Sequence, residues 1–324
     1  MKVYFRTFGC QMNLNDTEIM KGILHRDGYE ITEEQEEADV AIINSCAVRE
    51  KAENKMYGKL GRLKALKNKN PHLIIGLCGC VAEKEKDLLL KKKEVNFIFG
   101  TRSIVDIDSM IKRAKSGEKF AEFKDSLDEV NFETPRMRDS KHHAWVTIIY
   151  GCNKFCSYCI VPYTRGREKS RSMRDILVEV RELVAKGYKE ITYLGQNVDS
   201  YGMDLNDNTS LAGLLKETCK IDGIERIWFL TSYPSDFSDD LIKVISEEKK
   251  ISRFIHLPVQ AGSNKILKAM NRRYTKEDYL ILVKKIKENI PDTVLGSDII
   301  VGFPGETEAD FQESVDLVKE AGFE

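Results

Sequence analysis

The stretch Gly151–Cys152–Asn153–Lys154–Phe155–Cys156–Ser157–Tyr158–Cys159 spells GCNKFCSYC, with the cysteine spacing C-x3-C-x2-C, directly after the apolar run Trp145–Tyr150. Three thiols this close can wrap one metal centre without closing long loops. A structural zinc site takes four ligands, and no further Cys or His falls at a suitable offset after Cys159. Three cysteines suit a 4Fe–4S cluster with one iron left for a small molecule. Phe155 and Tyr158 would pack around such a centre and limit its solvent.

Downstream, apolar runs and helical patterns alternate. Strands are expected at Trp145–Tyr150, Glu190–Leu194, Arg226–Leu230, Arg253–Leu257 and Val294–Val301. Helices are expected at Met173–Lys186, Ser210–Lys220, Ser238–Glu248 and Lys276–Ile290. Five β/α units predict a partial (β/α) barrel over residues 141–324. The sequence stops at Gly322–Phe323–Glu324, where another strand is due, so a truncated barrel is expected.

Upstream, residues 1–117 alternate in the same way. Strands are expected at Lys2–Phe8, Val40–Asn44, Leu73–Leu77 and Asn96–Phe99. Helices are expected at Asp16–Arg26, capped by Asn15 or Asp16, at Arg49–Lys67, stopped by Asn70–Pro71, and at Ser103–Lys115. The fold class is therefore α/β, with an N-terminal open parallel sheet of flavodoxin-like type. Residues 118–140 are polar and mixed, and read as a linker.

Cys10, Cys46 and Cys80 each lie just past the carboxyl end of one of these strands. Ligand crevices form at that edge of an open α/β sheet. If the strands are neighbours, the three thiols meet. Taken alone, three incidental buried cysteines explain the pattern equally well. Cys78 should point into the sheet, and Cys219, in a helical stretch, should pack. His142 and His143 read as surface residues before a strand.

The composition sets bounds on these readings. The chain has 324 residues, 42% hydrophobic and 32% charged, which suits two soluble domains. Net charge is −1, so any affinity for nucleic acid must come from a local basic surface. The sequence has no run of 18 apolar residues and no secretory pattern at MKVYFRTFGC, so a cytoplasmic location without membrane contact is expected. Eight cysteines in such a chain are read as metal ligands or free thiols, not disulfides.

Together, GCQMN at 9–13, INSCAVRE at 43–50, GCVAE at 79–83 and GCNKFCSYCIVPYTRGRE at 151–168 resemble the radical S-adenosylmethionine methylthiotransferase family. LGQNVDSYG at 194–202, HLPVQAGSNKILKAMNRRYT at 256–275 and DIIVGFPGET at 298–307 carry the resemblance to the end of the chain. The wording is most similar to the branch that makes 2-methylthio-isopentenyladenosine in tRNA. A ribosomal-protein aspartate or a threonylcarbamoyladenosine tRNA is the alternative substrate. A non-catalytic iron–sulfur RNA-binding protein is the alternative class.

The resemblance implies two 4Fe–4S clusters, an auxiliary one on Cys10, Cys46 and Cys80 and one with S-adenosylmethionine on Cys152, Cys156 and Cys159. It implies a methyl transferred to sulfur from one S-adenosylmethionine, and from a second a 5′-deoxyadenosyl radical that removes a hydrogen. Partners would be a tRNA containing isopentenyladenosine, a reducing electron donor and a sulfur donor, with the protein a monomer. Family members carry a small RNA-binding β-barrel after the catalytic barrel, which this sequence does not reach.

Cofactor contacts are expected at the carboxyl ends of the barrel strands. These are Gln196 and Asn197, then Ser232, then Gln260 and Ser263, then Gly302 and Glu306, with loop capping as the plainer role for each polar one. Tyr163, Arg165 and Arg167 open a basic run through Lys169, Arg171 and Arg174 that could meet phosphate or the adenosine, or form a solvated loop.

Overall fold

The computed structural model describes residues 1–48, 50–125 and 134–323. The expected helix start at Arg49, residues 126–133 of the expected linker, and Glu324 lie outside the described residues. The chain divides into two compact units, Met1–Asp139 with Tyr163–Gly166, and Ser140–Pro162 with Arg167–Glu324.

The first unit contains strands β1 (Lys2–Phe8), β2 (Glu30–Thr32), β3 (Val40–Ser45), β4 (Ile74–Cys78), β5 (Phe97–Phe99) and β6 (Phe120–Glu122). They form one sheet in the order β2-β1-β3-β4-β5-β6, and every pair is parallel. Helices α1 (Gln11–Arg26), α2 (Glu50–Lys69), α3 (Cys80–Leu90) and α4 (Ile107–Lys115) connect them. β3, VAIINS, is buried at every position, as a central parallel strand covered on both faces must be. Met56, Leu60 and Leu63 of α2 and Val81 and Leu89 of α3 pack on Ile43, Ile75 and Leu77 of the sheet. α1 packs on the same unit beside α4.

The expected open parallel sheet is present, with differences at its margins. β2 and β6 are three-residue edge strands, too short and polar to carry a periodic signal. α1 begins five residues before the expected Asp16, with Cys10 at its N-cap. Asn15 and Asp16, expected caps, are buried inside the helix. Part of the expected linker is ordered against α1: the Met137 N–H donates to the Glu18 carbonyl at 2.9 Å.

The second unit begins with β7 (His143–Thr147) and β8 (Ile149–Tyr150); α5 (Val161–Thr164) leads into the Tyr163–Gly166 segment of the first unit, and β9 (Lys169–Ser170) and α6 (Met173–Ala185) follow in the second. β10 (Glu190–Leu194), α7 (Leu211–Cys219), β11 (Arg226–Phe229) and α8 (Asp239–Glu247) follow. The last elements are β12 (Phe254–His256), α9 (Asn264–Ala269), α10 (Lys276–Asn289), β13 (Val294–Gly296) and α11 (Glu308–Ala321). β7, β10 and β11 form a parallel sheet, β12 and β13 a parallel pair, and a bridge from Ile227 to Ile251 continues the curve between them. This is the partial β/α barrel the sequence predicts.

Two expected strands are shorter than their apolar runs. Trp145–Tyr150 is split at Ile148, because β8 leaves β7 to pair antiparallel with β9 across the cysteine loop. Val294–Val301 is a strand only to Gly296, and beyond it Ile299 makes one bridge to Gln260. His143 begins β7, half-buried, with Nε2 2.8 Å from Thr192 Oγ1, and is not a free surface residue.

Candidate functional site

β1, β3 and β4 are consecutive in the first sheet, with Phe8 opposite Ser45 and Asn44 opposite Cys78. Cys10 lies two residues past β1, Cys46 one past β3, and Cys80 two past β4. The three thiols therefore stand at one carboxyl edge, on adjacent loops. Gly79 makes part of this approach possible: its φ is +90°, and a Cβ there would lie 2.5 Å from the Ser45 carbonyl oxygen.

Buried amides tie these loops together. Asn13 Nδ2 donates to Asn44 Oδ1 at 2.9 Å, and Asn44 Nδ2 donates back to the Asn13 carbonyl at 2.9 Å. Cys10 Sγ donates to Asn13 Oδ1 at 3.4 Å, and the Val48 N–H donates to Cys46 Sγ at 3.3 Å. Cys78, inside β4, is fully buried, and burial raises its thiol far above the ordinary range. It stays a neutral core residue.

Arg165 is not a surface contact. It is buried in this first unit, with Nη2 2.7 Å from Asp16 Oδ2. Burial works against its charge, yet Asp16, Cys80 and Cys10 hold its proton firmly. Sequence reasoning missed Asp16 because it reads as a helix cap.

In the second unit, Cys152, Cys156 and Cys159 lie on the loop between β8 and α5. The C-terminal end of α9 grips that loop. Asn271 Nδ2 donates to the Phe155 carbonyl at 2.9 Å, the Ser157 N–H donates to the Met270 carbonyl at 3.1 Å, and Ser157 Oγ to the Ala269 carbonyl at 2.9 Å. These bonds hold Phe155 at φ +50°, with the Arg167 guanidinium 4.4 Å from its ring centre. Burial pushes the Cys152 thiol up to about 12, against the Lys154 N–H that favours the thiolate. Such a thiol gives up its proton to a metal more readily than to water.

Arg272, which the sequence reading did not single out, reaches the sulfurs. Its Nη1 donates to Cys156 Sγ at 3.5 Å, Nη2 to the Pro258 carbonyl at 2.8 Å, and Nε to the Tyr274 hydroxyl at 2.7 Å. Tyr233 lies under the guanidinium, 4.3 Å away. Lys154, between the first two cysteines, pairs with Asp236 at 2.6 Å, and Asp236 also accepts from Asn197 Nδ2 at 2.7 Å.

The expected cofactor contacts divide by what they bond. Gln196 Oε1 accepts from the Gly151 N–H at 2.5 Å, so it holds the cysteine loop. Asn197 is buried, and its Oδ1 takes no hydrogen bond among the described residues. Ser232 donates to Asp199 at 3.1 Å and Ser263 to Asp310 at 2.7 Å, each tying its loop to a segment distant in sequence. Glu306 Oε2 caps the N–H groups of Gly302 and Phe303 at 2.5 and 3.0 Å. Gln260 is half-buried at φ +79°, with its N–H on the Asp298 carbonyl at 3.0 Å. In the basic run, Arg171 pairs with Glu179 at 2.8 Å in the interior, while Tyr163 and Arg167 are exposed.

Among the described residues, no three His, Cys, Asp or Glu side chains are spaced to share one metal ion. One zinc would draw its thiolates to about 3.8 Å, by tetrahedral geometry and the Zn–S bond. A cluster sets each thiolate on its own iron and so spreads them wider. The N–H donors on the sulfurs of Cys46 and Cys156 favour thiolates, which fits that group at both places.

The family model described as Uncharacterized protein family UPF0004 matches residues 2–100, and that of the Radical SAM superfamily matches residues 146–318. A tRNA-2-methylthio-N(6)-dimethylallyladenosine synthase of Petrotoga mobilis is 58% identical over 326 residues, covering all of this chain and 74% of the relative. One from Thermotoga petrophila is 59% identical over 324 residues, covering all of this chain and 73% of the relative. The chain belongs to this radical SAM methylthiotransferase family.

Solved radical SAM structures share the fold. The radical S-adenosylmethionine methyltransferase TsrM of Kitasatospora setae matches with TM-score 0.71 at 13% identity, over 99% of this chain and 71% of that one. The cobalamin-dependent S-adenosylmethionine radical enzyme OxsB matches with TM-score 0.68 at 14% identity, over 98% of this chain and 51% of that one. No described helix is long and apolar enough to cross a membrane.

Proposed function

We propose that this chain transfers a methylthio group to carbon 2 of N6-isopentenyladenosine in tRNA. The observation that carries the reading is the presence of two cysteine trios, one at a sheet edge and one on the loop between β8 and α5, in a chain 58–59% identical over its whole length to synthases of that modification. An adenine C–H at carbon 2 has no leaving group and is not acidic, so acid–base groups alone cannot open it. A 4Fe–4S cluster and S-adenosylmethionine supply the one-electron chemistry when bound.

Cys152, Cys156 and Cys159 would hold that cluster, and Cys10, Cys46 and Cys80 an auxiliary one. Gln196, through Gly151, and Asn271, through Phe155, keep the first trio's loop in place. Asn197 presents a buried acceptor, Oδ1, for the amino group of S-adenosylmethionine. The Tyr233 and Tyr274 rings flanking Arg272 exclude water beside Cys156. A sulfur donor and a reducing electron donor complete the reaction.

The test is anaerobic reconstitution with tRNA carrying isopentenyladenosine, followed by nucleoside mass spectrometry. A gain of one methylthio group is expected. No gain, with both clusters loaded and 5′-deoxyadenosine released, would overturn the substrate.

A further inference from the structure

α2 carries a stripe of positive charge. Lys51, Lys55, Lys59 and Arg62 follow at i, i+4, i+8 and i+11, so they share one helix face over about 16 Å. Like charges at i, i+4 repel and cost helix stability, so a merely solvated face would mix in carboxylates. α2 as a whole holds seven basic and two acidic residues, in a chain of net charge −1. The charge is concentrated here.

The stripe borders a groove of about 790 Å³ within the first unit. Tyr4 and Arg6 of β1 form the opposite wall. Lys59 lies over the Tyr4 ring at 4.5 Å, and Arg6 over the Phe8 ring at 5.3 Å. Lys51, Lys55 and Arg62 are exposed, and among the described residues none of the five cations is in an ion pair. Glu53, on the same helix, pairs instead with Lys84 at 2.9 Å. Gly9 lines the groove's end, so the groove opens beside Cys10.

We propose that this groove binds the phosphate backbone of the RNA substrate, alongside the auxiliary cysteines. The inference rests on the tRNA reading above and adds where the first unit grips the chain. Exposed ammonium and guanidinium groups in a row, with no carboxylate lining the groove, suit a repeating anion and give affinity without base specificity. The Tyr4 and Phe8 rings line the groove beneath Lys59 and Arg6.

The experiment compares wild type with K51A/K55A/R62A, all exposed positions outside the packed face of α2, in equilibrium binding of tRNA at several salt concentrations. Binding needs no turnover, so it stands apart from the methylthio assay. The triple variant should bind about tenfold or more weakly, and its log affinity against log salt should flatten by about 2 to 3. Iron content and 5′-deoxyadenosine release should match wild type. The charge-retaining variant K51R/K55R/R62K should bind as wild type does. Wild-type affinity and salt slope in the alanine variant would overturn the groove assignment, as would equal weakening in the charge-retaining variant. Normal binding by both variants with no methylthio product from wild type would overturn the groove and the substrate reading together. Groove-dependent binding without product would overturn the substrate reading alone.

Discussion

The Arg272 guanidinium is fixed on three sides, by the Pro258 carbonyl, the Tyr274 hydroxyl and the Tyr233 ring, and points a donor at Cys156 Sγ. A positive N–H···S donor favours the more negative, reduced state of a cluster held there. Arg272→Met should therefore lower the cluster's midpoint potential in an EPR-monitored redox titration, with iron content unchanged. An unchanged potential would reduce Arg272 to packing. Asp199 gives a pH prediction. Burial pushes its carboxyl up to about 7, against the Tyr233 N–H and Ser232 hydroxyl that favour its charge. The folded state thus holds a proton that the unfolded chain releases near pH 4. That contribution to stability is complete below about pH 4 and lost as pH rises to about 7, by about 1.4 kcal/mol per unit. Asp199→Asn should gain stability relative to wild type between pH 4 and 7 in urea unfolding; parallel pH profiles would contradict this. Cys152, Cys156 and Cys159 stand out in the sequence because their spacing is a local signal, whereas Cys10, Cys46 and Cys80 show only as residues past strand ends, and their shared role comes from the family resemblance. The bonds of Gln196 and Arg165 could not, because Gly151 and Asp16 are distant partners in sequence.

At the scale of elements, the loops carrying Cys10, Cys46 and Cys80 depend on short, exact turns after β1, β3 and β4. Gly79→Ala would force a side chain to φ +90° and against the Ser45 carbonyl. Such strain costs about 1–3 kcal/mol. The expected result is lower stability in urea and loss of iron from the auxiliary site, with iron at the Cys152 trio retained. Full iron and wild-type stability would show that the loop does not need glycine. Central strands were legible because β3 and β4 are continuous apolar runs. The early start of α1 was not, because residues 11–14 lack the apolar repeat that marks a helix and Cys10 is not a usual cap. The edge strands β2 and β6 depend on pairing, not on their own composition.

At the scale of the whole molecule, the proposed reaction needs two separate centres, each on three thiolates with one iron open. The parallel order β1-β3-β4 supplies one set of loop ends, and the loop after β8 supplies the other. With three thiols of its own, each trio is expected to load independently. The direct measurement is iron and sulfide content after anaerobic reconstitution, for wild type, for C10A/C46A/C80A and for C152A/C156A/C159A. About eight irons per chain are predicted for wild type and about four for each triple variant, with 5′-deoxyadenosine release lost only in the second. Unchanged iron in C10A/C46A/C80A would contradict the two-centre account.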